Sequence, residues 1–159
     1  MIGVGIDPGL AGAVASLDAD GQLRHLHDPP VMAIRVGRQT RQDDDLLAMR
    51  RRPVPYAGAS CRVCIETQQG RPGQGVSSMV KWGLRYGLWR GIFATLLLPH
   101  TLPPPWPGNA LWGFWAATRM PAGSAPTPLI PTADPARKQD HGRVEAWYLA
   151  YPGLRHPLA

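Results

Sequence analysis

The chain is poor in cysteine, in lysine and in long apolar runs. Its two cysteines, Cys61 and Cys64, stand in a C-x-x-C spacing. No second Cys or His pair accompanies them, which excludes the usual four-ligand zinc site. On a strand, residues three apart point to opposite faces. Both are therefore expected to be small buried residues of a reduced, cytoplasmic protein. No apolar run approaches the roughly 20 residues that span a bilayer. The N-terminus lacks the basic stretch of a secretion signal and carries Asp7 early. No membrane partner and no small-molecule cofactor are expected.

Lysine occurs twice, against 15 arginines and 11 acids, giving a net charge of +6 and a pI near 10. A basic excess favours polyanionic partners, nucleic acid first. It also fits a solvated, arginine-rich surface. The length of 159 residues and 44% hydrophobic content suit one domain with a real core. We place that domain at 1–151, with a tail at 152–159.

Ile2, Val4 and Ile6 alternate with Gly3, Gly5 and Asp7, a period of two that predicts a strand. Pro8-Gly9 breaks it. Strands are predicted at 12–17 and 22–27, separated by the turn Asp18-Ala19-Asp20-Gly21. Between 28 and 60 the pattern is weaker. Arg35, Arg38 and Arg41 are basic, Asp43-Asp44-Asp45 can open a short helix through Met49, and Arg50-Arg51-Arg52 reads as a basic loop. Residues 61–66 read as a strand and 68–75 as a glycine-rich loop. A helix is predicted from about Ser77 to Leu98, with Ser77 or Ser78 as cap. Gly83, Gly87 and Gly91 form a stripe on it that predicts a close packing partner, the sheet or another helix. From 99 to 131 no period survives: nine prolines fall there, with Trp106, Trp112 and Trp115. Pattern returns in a last helix, with Val144, Trp147, Tyr148 and Tyr151 on one face and Pro152-Gly153 as its end.

Asp7 and Glu66 each end a predicted strand, and Asp140-His141-Gly142-Arg143-Val144-Glu145 opens the last helix. Acids converging from distant segments suit phosphodiester hydrolysis by two Mg²⁺ ions, held by carboxylates about 3.5–4 Å apart. His141 and Glu145 are four apart and share a helical face. Asp140 is then more plausible as an N-cap, unless the helix starts later.

The runs Gly5-Ile6-Asp7-Pro8-Gly9, Ile65-Glu66, Pro72-Gly73-Gln74-Gly75-Val76-Ser77-Ser78-Met79, Gly83-Leu84-Arg85-Tyr86-Gly87 and Lys138-Gln139-Asp140-His141-Gly142-Arg143-Val144-Glu145-Ala146 resemble the RuvC-type Holliday-junction resolvases, in their phage and prophage branch. The resemblance covers roughly 1–30, 61–98 and 132–150. It implies an α/β, ribonuclease-H-like fold, a mixed five-stranded sheet flanked by helices. It implies a homodimer that nicks branched DNA with Mg²⁺, for which Mn²⁺ can substitute. By this resemblance Asp7, Glu66 and Glu145 are metal-binding acids. The fourth site position is His141 as a catalytic residue, or Asp140 as a metal ligand. Arg71, Gln74, Ser77, Ser78, Lys81 and Arg85 are the implied DNA contacts.

Residues 103–131 depart from the resemblance, where the family has a strand, a tryptophan and a basic helix. With codons permitted for Gly108 to Gly123, reading two bases on gives ERALGLLGRDKDASR, similar to that missing helix. A compensated pair of frameshifts between about 102 and 131 would account for the burst of proline and tryptophan; disorder of 99–131 is the alternative. The true codons test the first. Two other readings stay open: a catalytically impaired relative that binds branched DNA, or prophage remnant, and an ATPase of the same fold with Asp7-Pro8-Gly9 facing a phosphate.

Overall fold

The structure is a computed structural model that describes residues 1–9, 11–58, 60–67, 73, 75–102 and 141–155. The element order is β1 (Ile2–Asp7), β2 (Ala13–Leu17), β3 (Leu23–His27), β4 (Val31–Val36), β5 (Gln39–Asp44), α1 (Leu46–Arg51), a 3-10 turn (Val54–Tyr56), β6 (Cys61–Ile65), α2 (Val76–Thr95), β7 (His100–Thr101) and α3 (His141–Arg155). Five strands form one mixed sheet in the order β3-β2-β1-β6-β7. β1 runs antiparallel to β2 and parallel to β6. This is the mixed five-stranded, helix-flanked architecture expected from the sequence.

Strand parity divides the core. Val4, Ile6, Val14, Val63 and Ile65 face one side, with Met49, Tyr56, Trp89 and Phe93 of the helical side. Trp89 and Phe93 stack there, centroids 5.8 Å apart. The phenol of Tyr56 donates to Ser16 Oγ at 2.9 Å, satisfying two buried hydroxyls. Ala13, Ala15 and Leu17 face the other side and meet Val144, Ala146, Trp147 and Ala150 of α3. Small residues on that side of the sheet let α3 lie close. Cys61 and Cys64 are both buried and unbridged. No described helix is long and apolar enough to cross a membrane.

Several local expectations are corrected. Residues 31–44 form a hairpin, β4 on β5, as a separate two-stranded sheet. The short helix starts after Asp45, whose carboxylate accepts from Ala48 N at 2.9 Å, while Asp43 and Asp44 stay in β5. Arg50 and Arg51 close α1 and do not lie in a loop. The long helix starts at Val76 with Gly75 at the N-cap, so neither Ser77 nor Ser78 caps it. It ends at Thr95, and His100–Thr101 of the supposedly irregular stretch add an edge strand beside β6. Residues 103–131 lie outside the described residues. α3 continues through Pro152-Gly153 to Arg155.

The glycine stripe is the largest correction. Among the described residues, a Cβ at Gly83, Gly87 or Gly91 would meet nothing within 4 Å. The stripe borders an open cavity of about 460 Å³ lined also by Leu84, Leu88 and Ile92. α2 packs on the sheet through Trp89 and Phe93.

Candidate metal centre

The parity that builds the core also gathers the acids. On β1, Gly3, Gly5 and Asp7 alternate with the buried Val4 and Ile6, so they face α3. Ile6 is level with Ile65 of the parallel β6, and Glu66 N donates to Ile6 O at 3.0 Å. That bond carries the ladder one residue further and sets Glu66 beside Asp7. Glu145 comes down from α3. One carboxylate oxygen from each of Asp7, Glu66 and Glu145 lies within 4.8 Å of the others.

The close approach of α3 depends on glycine. A Cβ on Gly142 would fall 2.1 Å from Ala11 O and 2.6 Å from Gly12 Cα. The first turn of α3 therefore sits directly on the β1–β2 turn. Arg143 ties the same turn to the end of β3 through two 2.7 Å bonds to Asp28.

Asp7 is only 7% exposed, and its loop is held on every side. Gly9 N–H donates to Asp7 Oδ1 at 2.8 Å. Gly9 O in turn accepts from Gly12 N at 3.1 Å and from Arg85 Nη1 at 2.8 Å. The other arm of Arg85 is ion-paired with Asp44 at the end of β5. Arg85, 5% exposed, is thus a strut joining α2, the hairpin and the Asp7 loop.

Three carboxylates this close repel one another. Burial pushes the Asp7 carboxyl above its ordinary range, against the pull of Gly9 N–H, Glu145 and Arg85. Glu145 is pushed up to about 8, first by burial, then by the charges of Asp7 and Glu66. A proton shared between Glu145 and Asp7 relieves the crowding. A hard divalent cation would relieve it more fully. All-oxygen donors with no thiolate or imidazole suit Mg²⁺ or Mn²⁺ over zinc or copper.

The other residues implied by the resemblance are less gathered. Ser77 is exposed and Ser78 half-buried in the first turn of α2, and Lys81 is exposed one turn later. Arg85, another implied DNA contact, has its guanidinium buried and engaged by Gly9 and Asp44. His141 begins α3, but its side chain is outside what the structure describes. Asp140, Arg71 and Gln74 also lie outside the described residues. Sequence reasoning missed the strut, because its partners lie 41 and 76 residues away.

No protein-family model and no curated protein sequence matches this chain. Solved structures do. The fold is similar to that of Thermus thermophilus RuvC in complex with Holliday junction substrate, with a TM-score of 0.56 and 13% identity. That match covers 94% of this chain and 90% of the other. A second Thermus thermophilus RuvC structure gives 0.53 and 15% identity, covering 94% and 91%.

Proposed function

We propose that this chain is a divalent-metal-dependent endonuclease that hydrolyses phosphodiesters in branched DNA, resolving Holliday junctions. The observation that carries the reading is the meeting of Asp7, Glu66 and Glu145 on one face of a RuvC-like sheet. Those three would hold Mg²⁺, or Mn²⁺ in its place, in one or two ions, with His141 or Asp140 as a fourth group. The bound cation supplies Lewis acidity toward a phosphoryl oxygen and a water nucleophile at neutral pH. Gly9 N–H donates to Asp7 Oδ1 and so holds the carboxylate that meets Glu145 and Glu66. Arg85 fixes Gly9 from behind. Ser77, Ser78 and Lys81 stand at the exposed start of α2 and would meet the DNA backbone, with Arg71 and Gln74 before them.

The test is cleavage of a labelled synthetic four-way junction with and without Mg²⁺. Parent protein is expected to nick paired strands only with the metal. Asp7→Asn and Glu66→Gln are expected to fall below about 1% of the parent rate, beyond the 10–100-fold typical of outer-shell changes. Metal-independent cutting, or full activity in Glu66→Gln, would sink the proposal. Binding without cutting would instead favour an impaired relative or prophage remnant, a reading supported by the departure of 103–131 from the family pattern. ATP turnover would favour the ATPase reading.

The apolar outer face of α2 supports a homodimer. Val80 is 64% and Leu84 59% exposed beside the open glycine stripe, so a second copy of α2 can approach to backbone distance. Leu84→Glu, at an exposed position, is expected to leave a folded monomer in sedimentation velocity. A parent that is itself monomeric at tens of micromolar would refute this.

A further inference from the structure

The hairpin β4–β5 has no core of its own, since nearly every residue on both of its faces is exposed. A lone two-stranded ribbon is marginal in water, and exposed edge strands invite aggregation. Such an arm persists when it has a partner. Three features identify that partner.

The first is charge. Arg35, Arg38 and Arg41 are all exposed on the outer part of the ribbon. Among the described residues none of them forms an ion pair. Arg35 Nε reaches Gly37 O at 3.4 Å and Arg41 Nη2 reaches Gln39 Oε1 at 3.2 Å, both weak local interactions. The acids of the hairpin, Asp43 and Asp44, sit at its base. Asp43 accepts from Asp44 N, and Asp44 is committed to Arg85.

The second is the distribution of that charge. Arg35 is opposite Thr40, and Ile34 is opposite Arg41, so Arg35 and Arg41 lie on opposite faces of the ribbon. Arg38 stands in the turn, beside Gly37 at φ +63°. A ribbon cationic on both faces and at its tip suits a slot with anionic walls on both sides. Two nucleic-acid backbones make such a slot, at a groove wide enough for a β-ribbon or where helical arms meet.

The third is location. The base of the ribbon is linked to Asp7 through a chain of polar bonds, Asp44 to Arg85, Arg85 to Gly9 and Gly9 to Asp7. The arm therefore rises from the wall of the acidic cluster. Its three arginines span roughly three residues of strand, about 10 Å, a length that covers several phosphates of a duplex.

We infer that the β4–β5 ribbon is a nucleic-acid-binding arm that enters between two phosphate backbones, with Arg35 and Arg41 facing one each and Arg38 at the tip. This rests on the reading of the chain as a protein that acts on DNA. It adds a binding element outside the acidic cluster and outside α2.

The test measures binding of a labelled four-way junction and of a linear duplex in EDTA, as a function of salt. Cleavage plays no part in it. Arg35→Ala/Arg38→Ala/Arg41→Ala is expected to reduce the log–log salt slope by about 2–3, near 0.9 for each phosphate that is no longer neutralised. Between 50 and 200 mM salt, parent and variant should then diverge by about 40-fold. Replacing the same three arginines by lysine should restore the slope, which separates charge from any role in holding the hairpin. A control of equal charge, Arg24→Ala/Arg50→Ala/Arg90→Ala, should leave the slope within about one unit of the parent. Equal slopes in the hairpin variant and the parent would overturn the inference, even if the parent cleaves junctions and the nuclease reading stands. An equal loss in the control would overturn it too, reducing the effect to net charge. Hairpin-dependent binding of duplex by a protein that never cuts would uphold the arm and refute the nuclease. A parent that binds neither DNA, or a hairpin that proves to bind anionic lipid vesicles instead, would overturn the arm.

Discussion

Gly5→Ala is expected to cost about 3 kcal/mol or more, at the upper end of overpacking effects. Its added Cβ would fall 1.9 Å from Ala146 O, 2.3 Å from Ala150 N and 2.8 Å from Leu149 C. All three are backbone atoms of α3, so no side chain can rotate out of the way. The sheet cannot yield either, because β1 is its central strand, bonded to β2 and β6. α3 must therefore lift, and it carries the buried Val144, Trp147 and Leu149 with it. Glu145 would lift as well and leave Asp7 and Glu66. At roughly 2–4 °C per kcal/mol for a domain of this size, the melting temperature should fall by about 10 °C. Circular dichroism melts of parent and variant measure this. A variant melting within about 2 °C of the parent would show that α3 does not seat on Gly5.

The sequence carries the sheet side of this arrangement openly. The alternation Ile2, Val4, Ile6 against Gly3, Gly5, Asp7 states which residues face the core of α2 and which leave room for α3. The same parity on β6 places Glu66 opposite the face of Val63 and Ile65. The parallel pairing of β1 with β6 is a long-range event, and no local pattern announces its register. Chemistry helps there: the chain has two glutamates in all, Glu66 and Glu145, and both arrive beside Asp7.

Where the sequence misleads, the cause is an unusual partition of apolar and polar groups. Hydrophobic periodicity reveals a strand only when one face is buried. β4 and β5 are exposed on both faces, so Val31 to Asp44 shows no period of two. On α2 the buried face includes an arginine, Arg85, and the exposed face includes Val80 and Leu84. The apolar stripe therefore points away from the sheet, and the glycines beside it imitate a packing face. Arg85 itself joins the two places, since it leaves the buried face of α2 to pair with Asp44 at the end of β5.

Glu145→Gln is expected to stabilise the protein at pH 8 while abolishing cleavage. Glu145 in the fold holds its proton up to about 8, against an ordinary value of 4.5. Between those values the unfolded chain has released a proton that the folded chain keeps. Stability without divalent cations should therefore fall as pH rises through that window, because the unfolded state binds fewer protons. Each unit is worth about 1.4 kcal/mol, and with the group partly open to solvent we expect a loss of about 2–3 kcal/mol by pH 8. Glutamine keeps the shape and removes the charge, so the slope with pH should flatten. At pH 8 its melting temperature should exceed the parent's by about 5 °C, and near pH 5 the two should agree. Mg²⁺ should raise the parent's melting point at pH 8 and the variant's much less, since one of its three charged donors is gone. Thermal melts at both pH values, with and without Mg²⁺, decide the matter. A variant less stable than the parent at pH 8 would mean that Glu145 is not crowded by Asp7 and Glu66. The cluster would then have no electrostatic deficit for a cation to fill.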